Sequence, residues 1–445
     1  MRVPRYKGVV DTLAKQIRSG RLSAGTRLPT HRQLAADEGI AVVTATRVYA
    51  ELEAMGLVSS EQGRGTFVRD LATAPGVGGD QHSVAVDATD LSFNSPAVPG
   101  QADLLRQALK DLATAGDLDA LLRYQPHRGR TQDRAAIARH LRKRGLTTGR
   151  ERVLIVNGAQ QGLAVTAMAL LKPGDIVAID AITYPGFTVL ARTLGLQLAP
   201  LPVTATGPDL SALELLCRQR PVRAIYAMPT LHNPLGWVLD EVQREHLVTI
   251  ARNHDLLIIE DASYAYLAED APPPLAMRAP RETVYVSGLS KNVATGLRIG
   301  FVVAPGKHVE AIERAIRATT YHTPSLTAAI VTRWLEDGTV DHLETQKRAD
   351  ARHRQTVARE VLDGLPYVGH PSSYFLWLPL AQDARADRIA ASLARKKVAV
   401  STAEPFATTP TVPQALRLAL GSVRLDELRD ALTKVRHEAD RDAYR

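Results

Sequence analysis

The stretch "SGLSKNVATGLRIG", residues 287–300, places one lysine, Lys291, among small and hydroxyl residues, seven positions before Arg298 and just ahead of an apolar segment. Most lysines are solvated surface groups, whereas a half-buried lysine amine can form a Schiff base with a carbonyl compound. One residue does not decide between these interpretations. The chemistry that Lys291 serves therefore has to be inferred from the rest of the chain.

Length and composition limit the class of protein. The chain has 445 residues, which is too long for one hydrophobic core and favours two or three domains. Its 45% hydrophobic and 23% charged residues are typical of globular proteins. The N-terminus lacks the apolar core of a signal peptide, and no apolar run approaches the roughly 20 residues that span a bilayer. We therefore expect a cytoplasmic protein, and the single cysteine, Cys217, excludes a disulfide framework.

The positive charge is concentrated at the N-terminal end. The whole chain carries a formal net charge of +8 at pH 7, and residues 1–70 hold 11 lysines and arginines against 7 acidic residues. Half of the excess positive charge thus falls on less than a fifth of the chain. A basic segment of this kind favours an acidic partner such as nucleic acid.

The first 70 residues have the pattern of three helices followed by a β-hairpin. Apolar residues recur every four positions at Val9, Leu13 and Ile17, which predicts an amphipathic helix. The segments "THRQLAADEG", with Thr30 as N-cap, and "AVVTATRVYAELEAMG" predict two helices separated by about three residues, the spacing of a helix-turn-helix. "LVSSEQGRGTFV" predicts a hairpin with an arginine at its tip. Together these elements predict a winged helix-turn-helix.

This segment resembles the GntR family of bacterial repressors, on the residues "AGTRLPTHRQLA" and "GRGTFV". The resemblance implies that the second helix of the pair enters the major groove, while arginines of the preceding helix and the wing contact phosphate or the minor groove. The residues assigned to DNA in this way are Arg32, Thr44, Thr46, Arg47 and Arg64. The family often has Ser-Arg just before this helix, where this chain has Ala41-Val42. The alternative is a basic helical domain that contacts another protein.

A linker separates this head, residues 1–70, from a body, residues 90–445. From Leu71 to Val86 the sequence is rich in glycine, alanine and proline and has no apolar period, so we place a flexible linker at residues 71–89. In the body, apolar runs alternate with helical stretches; the runs are "RVLIVN", "DIVAID", "RAIYAMP", "DLLIIED", "TVYVSG" and "IGFVVAP". Runs of this kind predict the buried strands of a mainly parallel sheet with helices on both faces, an α/β fold.

Polar residues follow several of these strands. "NGAQQG" places Ala159 and Gln160 at the start of a helix, where backbone N–H groups suit a phosphate. "TYPG" places Tyr184 where its ring could stack on a planar ligand, although such a tyrosine alone is more often part of the core or a turn. "PTLHNPLG" places Asn233 in a loop, and most Asn-Pro pairs are only turns. Each of these motifs alone is a weak signal.

A buried acid connects these motifs with the lysine. "IIEDASY" places Asp261 at the end of a very apolar strand, where a carboxylate is costly unless it meets a cation, and Tyr264 follows three residues later. An aspartate for a pyridinium nitrogen, an imine lysine, a stacking aromatic ring and a phosphate anchor together describe a pyridoxal phosphate site. Lys291 would form the imine, with its pKa lowered by burial, and the guanidinium of Arg298 would bind the phosphate.

The body looks like a fold-type I aminotransferase of the aspartate aminotransferase type, with a large subdomain and a small C-terminal subdomain from about residue 325, because six separated motifs follow that family's order. The resemblance implies that Asn233 and Tyr264 hydrogen-bond the ring hydroxyl and that Ser290 helps to bind the phosphate. It also implies that Tyr124, in "RYQPHRG", reaches the phosphate of the neighbouring subunit, and that Arg417, in "ALRLAL", grips the α-carboxylate of a ligand.

The chain departs from this family at two places. Gly288, preceded by Ser287, stands three residues before the lysine, where the family usually has a hydroxyl residue. Asp133-Arg134 stands where the tyrosine motif usually continues into Leu-Arg. His232 and the pair Glu260-Asp261 could suggest a metal site, but no matching cluster of ligands accompanies them, so we predict no metal.

A GntR-like head joined to an aminotransferase-like body is the arrangement of the MocR subfamily of transcription regulators. The resemblance implies a homodimer that binds double-stranded operator DNA and senses an amino-acid-like effector by external aldimine formation on the pyridoxal phosphate held by Lys291. One alternative is an aminotransferase whose turnover is its main function and whose head only localises it. Another is a body that has lost its cofactor and serves only for dimerisation.

Overall fold

The head contains the three helices and the hairpin that the sequence predicts. The computed structural model describes residues 5–23, 25–61, 65–68, 88–115, 117–381 and 384–443. In the head the elements are α1 (Arg5–Arg18), α2 (His31–Glu38), α3 (Val42–Ala54), β1 (Val58–Glu61) and β2 (Gly65–Val68). The predicted N-cap is present, because the Thr30 side chain accepts from Gln33 N and the Gln33 side chain accepts from Thr30 N. The linker predicted at residues 71–89 lies outside the described residues except for its last two positions.

A seven-stranded sheet forms the centre of the body. Its strands are β4 (Val153–Val156), β5 (Ile176–Asp180), β6 (Gln197–Leu201), β7 (Val222–Ala227), β8 (Leu257–Asp261), β9 (Thr283–Gly288) and β10 (Gly300–Val303). Their order across the sheet is β4-β10-β9-β8-β7-β5-β6, and only β10 runs antiparallel to its neighbours. The prediction of a mainly parallel α/β sheet is therefore confirmed. The edge strand β6 has two exposed positions among its five residues, and the apolar runs of the sequence did not include it.

Helices cover both faces of this sheet. After the linker and between or after the strands come α4 (Gln101–Ala115), α5 (Leu118–Leu121), α6 (Thr131–Arg142), α7 (Ala159–Leu170), α8 (Pro185–Thr193), α9 (Leu210–Gln219), α10 (Glu241–Asn253), α11 (Leu275–Arg278), α12 (Gly306–Thr319), α13 (Ser325–Glu336) and α14 (Thr339–Val361). Among the described residues, three buried clusters of apolar side chains lie between the sheet and these helices. They are centred on Val156, Val286 and Ile312, on Ile155, Phe301 and Val331, and on Ile225, Val248 and Ile258.

A second sheet of four strands lies near the C-terminus of the chain. It contains β3 (Thr89–Leu91), β11 (Phe375–Pro379), β12 (Val398–Thr402) and β13 (Ala415–Ala419) in the order β11-β13-β12-β3, and α15 (Ala386–Arg395) and α16 (Leu425–Ala443) pack on it. The strand β3 pairs in parallel with β12, so the first residues after the linker belong to this C-terminal sheet. The small subdomain predicted from about residue 325 therefore also contains a strand from the start of the body.

The topology brings the polar strand ends to one edge of the large sheet. The strands β4, β5, β7, β8 and β9 run in the same direction, so the residues that follow them meet at their carboxyl ends, and the residue before β10 lies at the same edge. Ligands of open α/β sheets bind in the crevice outside the carboxyl ends of the strands. The motifs of the sequence analysis therefore converge because of the strand order.

The head lies against the C-terminal sheet subdomain through ion pairs. Glu51 of α3 pairs with Arg388 of α15, and Arg385, just before that helix, has its Nη1 3.4 Å from the Asp11 carboxylate. Arg18 donates from Nη2 to the Glu404 carboxylate at 3.0 Å. These contacts join opposite charges of the two parts.

Among the described residues no helix is long and apolar enough to cross a membrane.

Candidate functional site

Lys291 lies at the carboxyl end of β9 in a cationic, desolvated environment. Its Nζ donates to the main-chain oxygen of Asn94 at 2.5 Å and lies 4.6 Å from the centre of the Phe93 ring. Burial lowers the pKa of Lys291 from 10.5 to about 7, and the neighbouring positive charges of Arg417 and Arg298 act in the same direction. A large fraction of this amine is therefore neutral, and able to act as a nucleophile, near neutral pH.

Asp261 ends β8 and is only 1% exposed. Its Oδ2 accepts from the Tyr226 hydroxyl at 2.8 Å, and its Oδ1 accepts from Ser263 N at 3.0 Å and from Ser263 Oγ at 2.6 Å. Burial raises the pKa of Asp261, and these donors oppose that effect by stabilising the carboxylate. The acid is thus held in one orientation and can pair with a cationic ring nitrogen. Tyr226 was not predicted as a site residue, because its sequence context is that of an apolar strand. Ser263, two residues after the acid, could have been predicted, because this spacing is typical of an Asx-type turn.

The start of α7 is shaped for close approach. The helix begins at Ala159 without a side-chain cap, and Gly158 before it has φ +82°. A Cβ on Gly158 would lie 2.7 Å from Nη2 of Arg298, and a Cβ on Gly300 would lie 2.5 Å from the Gly158 carbonyl carbon. Both glycines are therefore needed for the backbone to pack here. The uncapped N–H groups of Ala159 and Gln160 are in place to receive an anion.

Arg298 lies beside this helix start. Its Nη2 donates to the main-chain oxygen of Asn157 at 3.2 Å and its Nη1 to the hydroxyl of Ser290 at 3.4 Å. The structure thus brings Arg298, Ser290 and the start of α7 together, as the prediction of a phosphate anchor requires. Ser287, the residue at which the chain departs from the family pattern, is fully buried, and its hydroxyl donates to the main-chain oxygen of Ala262 at 3.1 Å. Ser287 is therefore engaged in a main-chain contact.

Tyr184 lies directly before α8, next to the phosphate anchor. Its hydroxyl donates to Gln160 Oε1 at 3.1 Å, and Gln160 Nε2 donates to the main-chain oxygen of Gly186 at 2.8 Å. Burial raises the pKa of Tyr184, so that its hydroxyl stays protonated. The ring is held in place by these bonds and is available as a stacking surface.

Arg417 lies on β13 and reaches the site from the second sheet. It is 4% exposed, and its Nη1 donates to the main-chain oxygen of Ser92 at 3.0 Å. Its guanidinium carbon lies 5.4 Å from the centre of the Phe375 ring and 5.8 Å from that of Phe406. Its Nε has no hydrogen-bond partner among the residues that the structure describes. Arg417 also stabilises the charged form of Tyr264, while burial raises the pKa of Tyr264.

These residues fit pyridoxal phosphate. Asn233 is 4% exposed, and its Oδ1 lacks a hydrogen-bond partner within the described part of the chain, as expected for an amide that serves a ligand group. The buried carboxylate of Asp261 suits the ring nitrogen, and the uncapped helix start beside Arg298 suits the phosphate. The donor and acceptor types therefore match the phosphate, the ring nitrogen and the ring hydroxyl of this cofactor.

Tyr124 is the one predicted cofactor residue that lies apart from this cluster. Its side chain is 83% exposed, and its ring centre lies 5.1 Å from that of Tyr321 and 6.0 Å from that of His322. It forms part of an aromatic surface. The role that the resemblance implies for Tyr124 requires a second subunit.

His232 and Glu260, for which the sequence predicts no metal, have protein partners. His232 Nε2 lies 3.1 Å from Asp180 Oδ2, and its ring stacks on Trp237 with centres 4.0 Å apart. Glu260 accepts from the N–H groups of Leu275 and Ala276 and so caps α11. Within the described ranges no group of three or more His, Cys, Asp or Glu residues could hold a metal ion.

The predicted DNA-binding residues lie on the head. On α3, Thr46 and Arg47 are exposed and Thr44 is partly exposed, and Arg32 on α2 is exposed as well. The guanidinium of Arg47 lies 4.5 Å from the centre of the Tyr6 ring and its Nε lies 3.6 Å from Glu51 Oε1. Arg64 lies outside the described residues. The helix α3 thus presents hydroxyl and guanidinium groups to solvent, where DNA contact would need them.

The chain is similar to known regulators and to known aminotransferases. A protein of Bacillus subtilis named as the uncharacterized HTH-type transcriptional regulator YdeF is 27% identical over 441 residues, which cover 98% of this chain and 95% of that protein. The probable rhizopine catabolism regulatory protein MocR of Rhizobium meliloti is 28% identical over 380 residues, 79% of this chain and 76% of that protein. The crystal structure of LysN, an α-aminoadipate aminotransferase of Thermus thermophilus, matches with a TM-score of 0.74 at 22% identity over 88% of this chain and 98% of that one.

Two families account for nearly all of the chain. Residues 5–68 match the family of bacterial regulatory proteins called gntR, and residues 86–435 match the family called aminotransferase class I and II. The second match covers far more than half of the sequence and includes every element of the site described above. The chain therefore belongs to the class I and II aminotransferase family, and its GntR-family head gives it the domain combination of the MocR subfamily of GntR-type regulators.

Proposed function

We propose that the protein is a transcriptional regulator that binds operator DNA through its head and senses an amino-acid-like effector through pyridoxal phosphate held at Lys291. The observation that carries this proposal is the convergence of a lysine and an arginine on one short segment. Lys291 Nζ donates to the main-chain oxygen of Asn94 and Arg417 Nη1 donates to that of Ser92, so an amine-reactive group and a carboxylate-binding group lie near each other. A ligand with both an amine and a carboxylate matches this pair.

Different residues of the body bind different groups of the cofactor in our proposal. When bound, pyridoxal phosphate supplies an aldehyde that combines with primary amines and a ring that withdraws electrons. In our proposal Asp261 holds the ring nitrogen, Tyr184 covers a ring face, and Asn233 and Tyr264 bind the ring hydroxyl. The phosphate is held by Arg298, Ser290 and the N–H groups of Ala159 and Gln160. All of these groups except the ring of Tyr184 act as hydrogen-bond donors or acceptors that burial makes stronger.

Ligand binding would change the partners of both buried cations. In the described structure Lys291 donates to the Asn94 oxygen and Arg417 donates to the Ser92 oxygen. With pyridoxal phosphate bound, Lys291 would hold it in the absence of ligand, and its Nζ would be free to hold a proton once an incoming amine had bound. The carboxylate of the ligand binds the guanidinium of Arg417, where a charge-assisted hydrogen bond is stronger than one to a neutral carbonyl.

The head supplies the DNA contacts and dimerisation supplies two heads. We propose that α3 enters the major groove with Thr44, Thr46 and Arg47, and that the protein is a homodimer in the cytoplasm. The exposed aromatic surface around Tyr124 supports the dimer, because an exposed cluster of aromatic side chains is typical of an interface. Differential affinity of the effector for two arrangements of the dimer would then change how the heads are placed on DNA.

Aminotransferase turnover is a second candidate function. It is favoured by the completeness of the site, since the imine lysine, the acid for the ring nitrogen and the carboxylate-binding arginine are all present, with the lysine partly buried and the other two buried. Steady-state assays with common amino donors and 2-oxo acids separate the two functions. Sustained turnover comparable to that of ordinary aminotransferases would favour the enzyme, whereas a spectral response to an amino compound with little turnover would favour the regulator.

The experiment that tests the proposed function combines spectroscopy with DNA binding. The protein is loaded with pyridoxal phosphate, and its visible absorbance and its affinity for fragments of its own promoter region are followed while amino compounds are added. Lys291→Ala is the control. We expect one class of amino compound to change both the absorbance and the DNA affinity of the unaltered protein and neither in the variant. An unchanged effector response in Lys291→Ala would contradict the proposal.

A further inference from the structure

Asn94 has no role in the sequence motifs, yet it contacts Lys291 and interacts with Tyr264, a neighbour of Arg417. Asn94 follows β3 and is 1% exposed. Its main-chain oxygen accepts from Lys291 Nζ at 2.5 Å, and its side chain stabilises the charged form of Tyr264, as that of Arg417 does. Asn94 therefore contacts the amine-reactive lysine and shares a neighbour, Tyr264, with the carboxylate-binding arginine.

The orientation of the Asn94 amide is fixed by a main-chain contact. Its Oδ1 accepts from Gly421 N at 3.1 Å. In the Asn94 side chain only Oδ1 can accept a hydrogen bond from an N–H group, so Oδ1 faces Gly421 and Nδ2 faces away from it. A Cβ on Gly421 would lie 3.1 Å from Asn94 Oδ1, so the glycine allows this close approach. The amide is thus held with its two N–H donors turned away from Gly421.

These donors are not fully paired. The Asn94 side chain interacts with the Tyr264 hydroxyl, but its buried Nδ2 forms no hydrogen bond of ordinary geometry among the residues that the structure describes, and the same holds for Nε of Arg417. Buried donors are nearly always paired in native proteins, so an unpaired one at a binding site indicates a ligand acceptor. The unpaired groups here are both donors and one of them is cationic. The acceptor that fits them is an anionic oxygen, and a carboxylate has two.

Resting on the proposed function, we propose that Asn94 is a second carboxylate-binding residue, which donates from Nδ2 to the carboxylate of an amino-acid effector while Arg417 binds the same group. Asn94 then sets the specificity of the site for amino acids over simple amines. A primary amine without a carboxylate combines with the cofactor but leaves both donors unpaired. Because Asn94 also contacts Lys291, a ligand carboxylate bound at Asn94 lies close to the amine that replaces Lys291. An α-amino acid has its carboxylate in this position.

The test compares an acid with its matching amine. The twenty common L-amino acids are screened for a change in the visible absorbance of the protein loaded with pyridoxal phosphate, and the tightest binder is then compared with its decarboxylated amine. The variant is Asn94→Asp, which keeps the size of the side chain and an oxygen for Gly421 N but replaces the donor by a carboxylate oxygen. Asn94→Ala, which removes the whole amide, is the second variant.

The readout is the ratio of the two dissociation constants. We expect this ratio, acid over amine, to rise roughly 10- to 100-fold in Asn94→Ala, since a hydrogen bond to a charged group is lost, and further in Asn94→Asp, since like charges repel. Any general effect of the variants on Lys291 or on cofactor loading changes both constants and cancels in the ratio. A ratio within about twofold of that of the unaltered protein in the variants that load the cofactor would overturn the inference.

The same experiment separates this inference from the proposed function. If no amino acid changes the absorbance of the unaltered protein, the proposed function itself fails, and the inference fails with it. If amino acids bind and the ratio does not change in the variants, only the role of Asn94 is wrong. If the ratio rises as expected, Asn94 acts on the carboxylate, because a residue that merely supported the fold would weaken the acid and the amine alike.

Discussion

The lowered pKa of Lys291 leads to a quantitative prediction about its reactivity. At a pKa of about 7, about half of the Lys291 amines are neutral at pH 7, against about one in 3,000 for a lysine with the ordinary value of 10.5. Only the neutral amine attacks an aldehyde. The neutral fraction available to pyridoxal phosphate at pH 7 is therefore roughly a thousandfold larger than for an exposed lysine.

The assay is the rate at which visible absorbance appears when the cofactor-free protein is mixed with pyridoxal phosphate at a series of pH values. We expect the rate to rise about tenfold per pH unit below pH 7 and to level off above it, because the neutral fraction then approaches one. Lys291→Ala controls for reaction at surface lysines. A rate that continues to rise tenfold per unit through about pH 9 would mean an ordinary lysine and would refute the reasoning.

Arg417→Gln tests the cause of the shift. Burial is the largest cause and the charge of Arg417 is the next, so removing that charge should move the inflection of the rate to higher pH, while burial keeps it below 10.5. An inflection that stays in place would show that the arginine does not act on the amine. Loss of burial in a damaged fold would also raise the pKa of Lys291. Cofactor retention distinguishes the two causes, because a damaged fold would also hold pyridoxal phosphate less tightly.

The same shift predicts how the stability of the cofactor-free protein depends on pH. Between about pH 7 and 10.5 the unfolded chain binds a proton at Lys291 that the folded chain does not, so the free energy of unfolding should rise with pH there, by at most about 1.4 kcal/mol per unit. Below pH 7 both states are protonated and this unfavourable contribution is fully present. Lys291→Met removes it, so the difference in stability between variant and unaltered protein should shrink as the pH rises.

Three further predictions concern other contacts. Tyr226→Phe removes a donor from the Asp261 carboxylate at 2.8 Å and should raise its pKa further and lower the free energy of unfolding at pH 7 by about 1–3 kcal/mol, measured by urea unfolding; no loss would contradict the bond. Arg32→Ala should weaken binding to all DNA sequences and reduce the salt slope of the affinity by about 1, as titrations at several salt concentrations would show; an unchanged slope would mean that Arg32 does not contact phosphate. Glu51→Gln leaves Arg385, which is 3% exposed, with weaker pairing and should lower the first unfolding transition in calorimetry by an amount that Asp11→Asn, at an exposed carboxylate, does not reach.

The strands of the large sheet, and the polar residues that follow them, could be predicted because both depend on local sequence. Six apolar runs identified six of the seven strands of the large sheet, since strands buried on both faces need apolar side chains at nearly every position. The exception, Gln197–Leu201, lies at the sheet edge and carries exposed residues, so its pattern is weak. The residues that follow the strands were found for the same reason, as polar interruptions of apolar runs.

Contacts between distant parts of the chain could not be predicted in this way. Asn94 reaches Lys291 across 197 positions of sequence, and Thr89–Leu91 pairs with a strand near the C-terminus. Neither segment carries a periodic pattern or a motif that names its partner. Tyr226 could not be predicted for a different reason. An aromatic residue in an apolar strand is usually part of the core, and only the structure shows that its hydroxyl donates to the Asp261 carboxylate.

The parallel pairing of Thr89–Leu91 with β12 determines where the tether to the head is fastened. The linker predicted at residues 71–89 ends at the first residue of this strand, and Ser92, whose main-chain oxygen accepts from Arg417, follows three residues later. The end of the linker is therefore fixed within a few residues of a contact of Arg417. A displacement of Ser92 would reach the linker through these few residues alone.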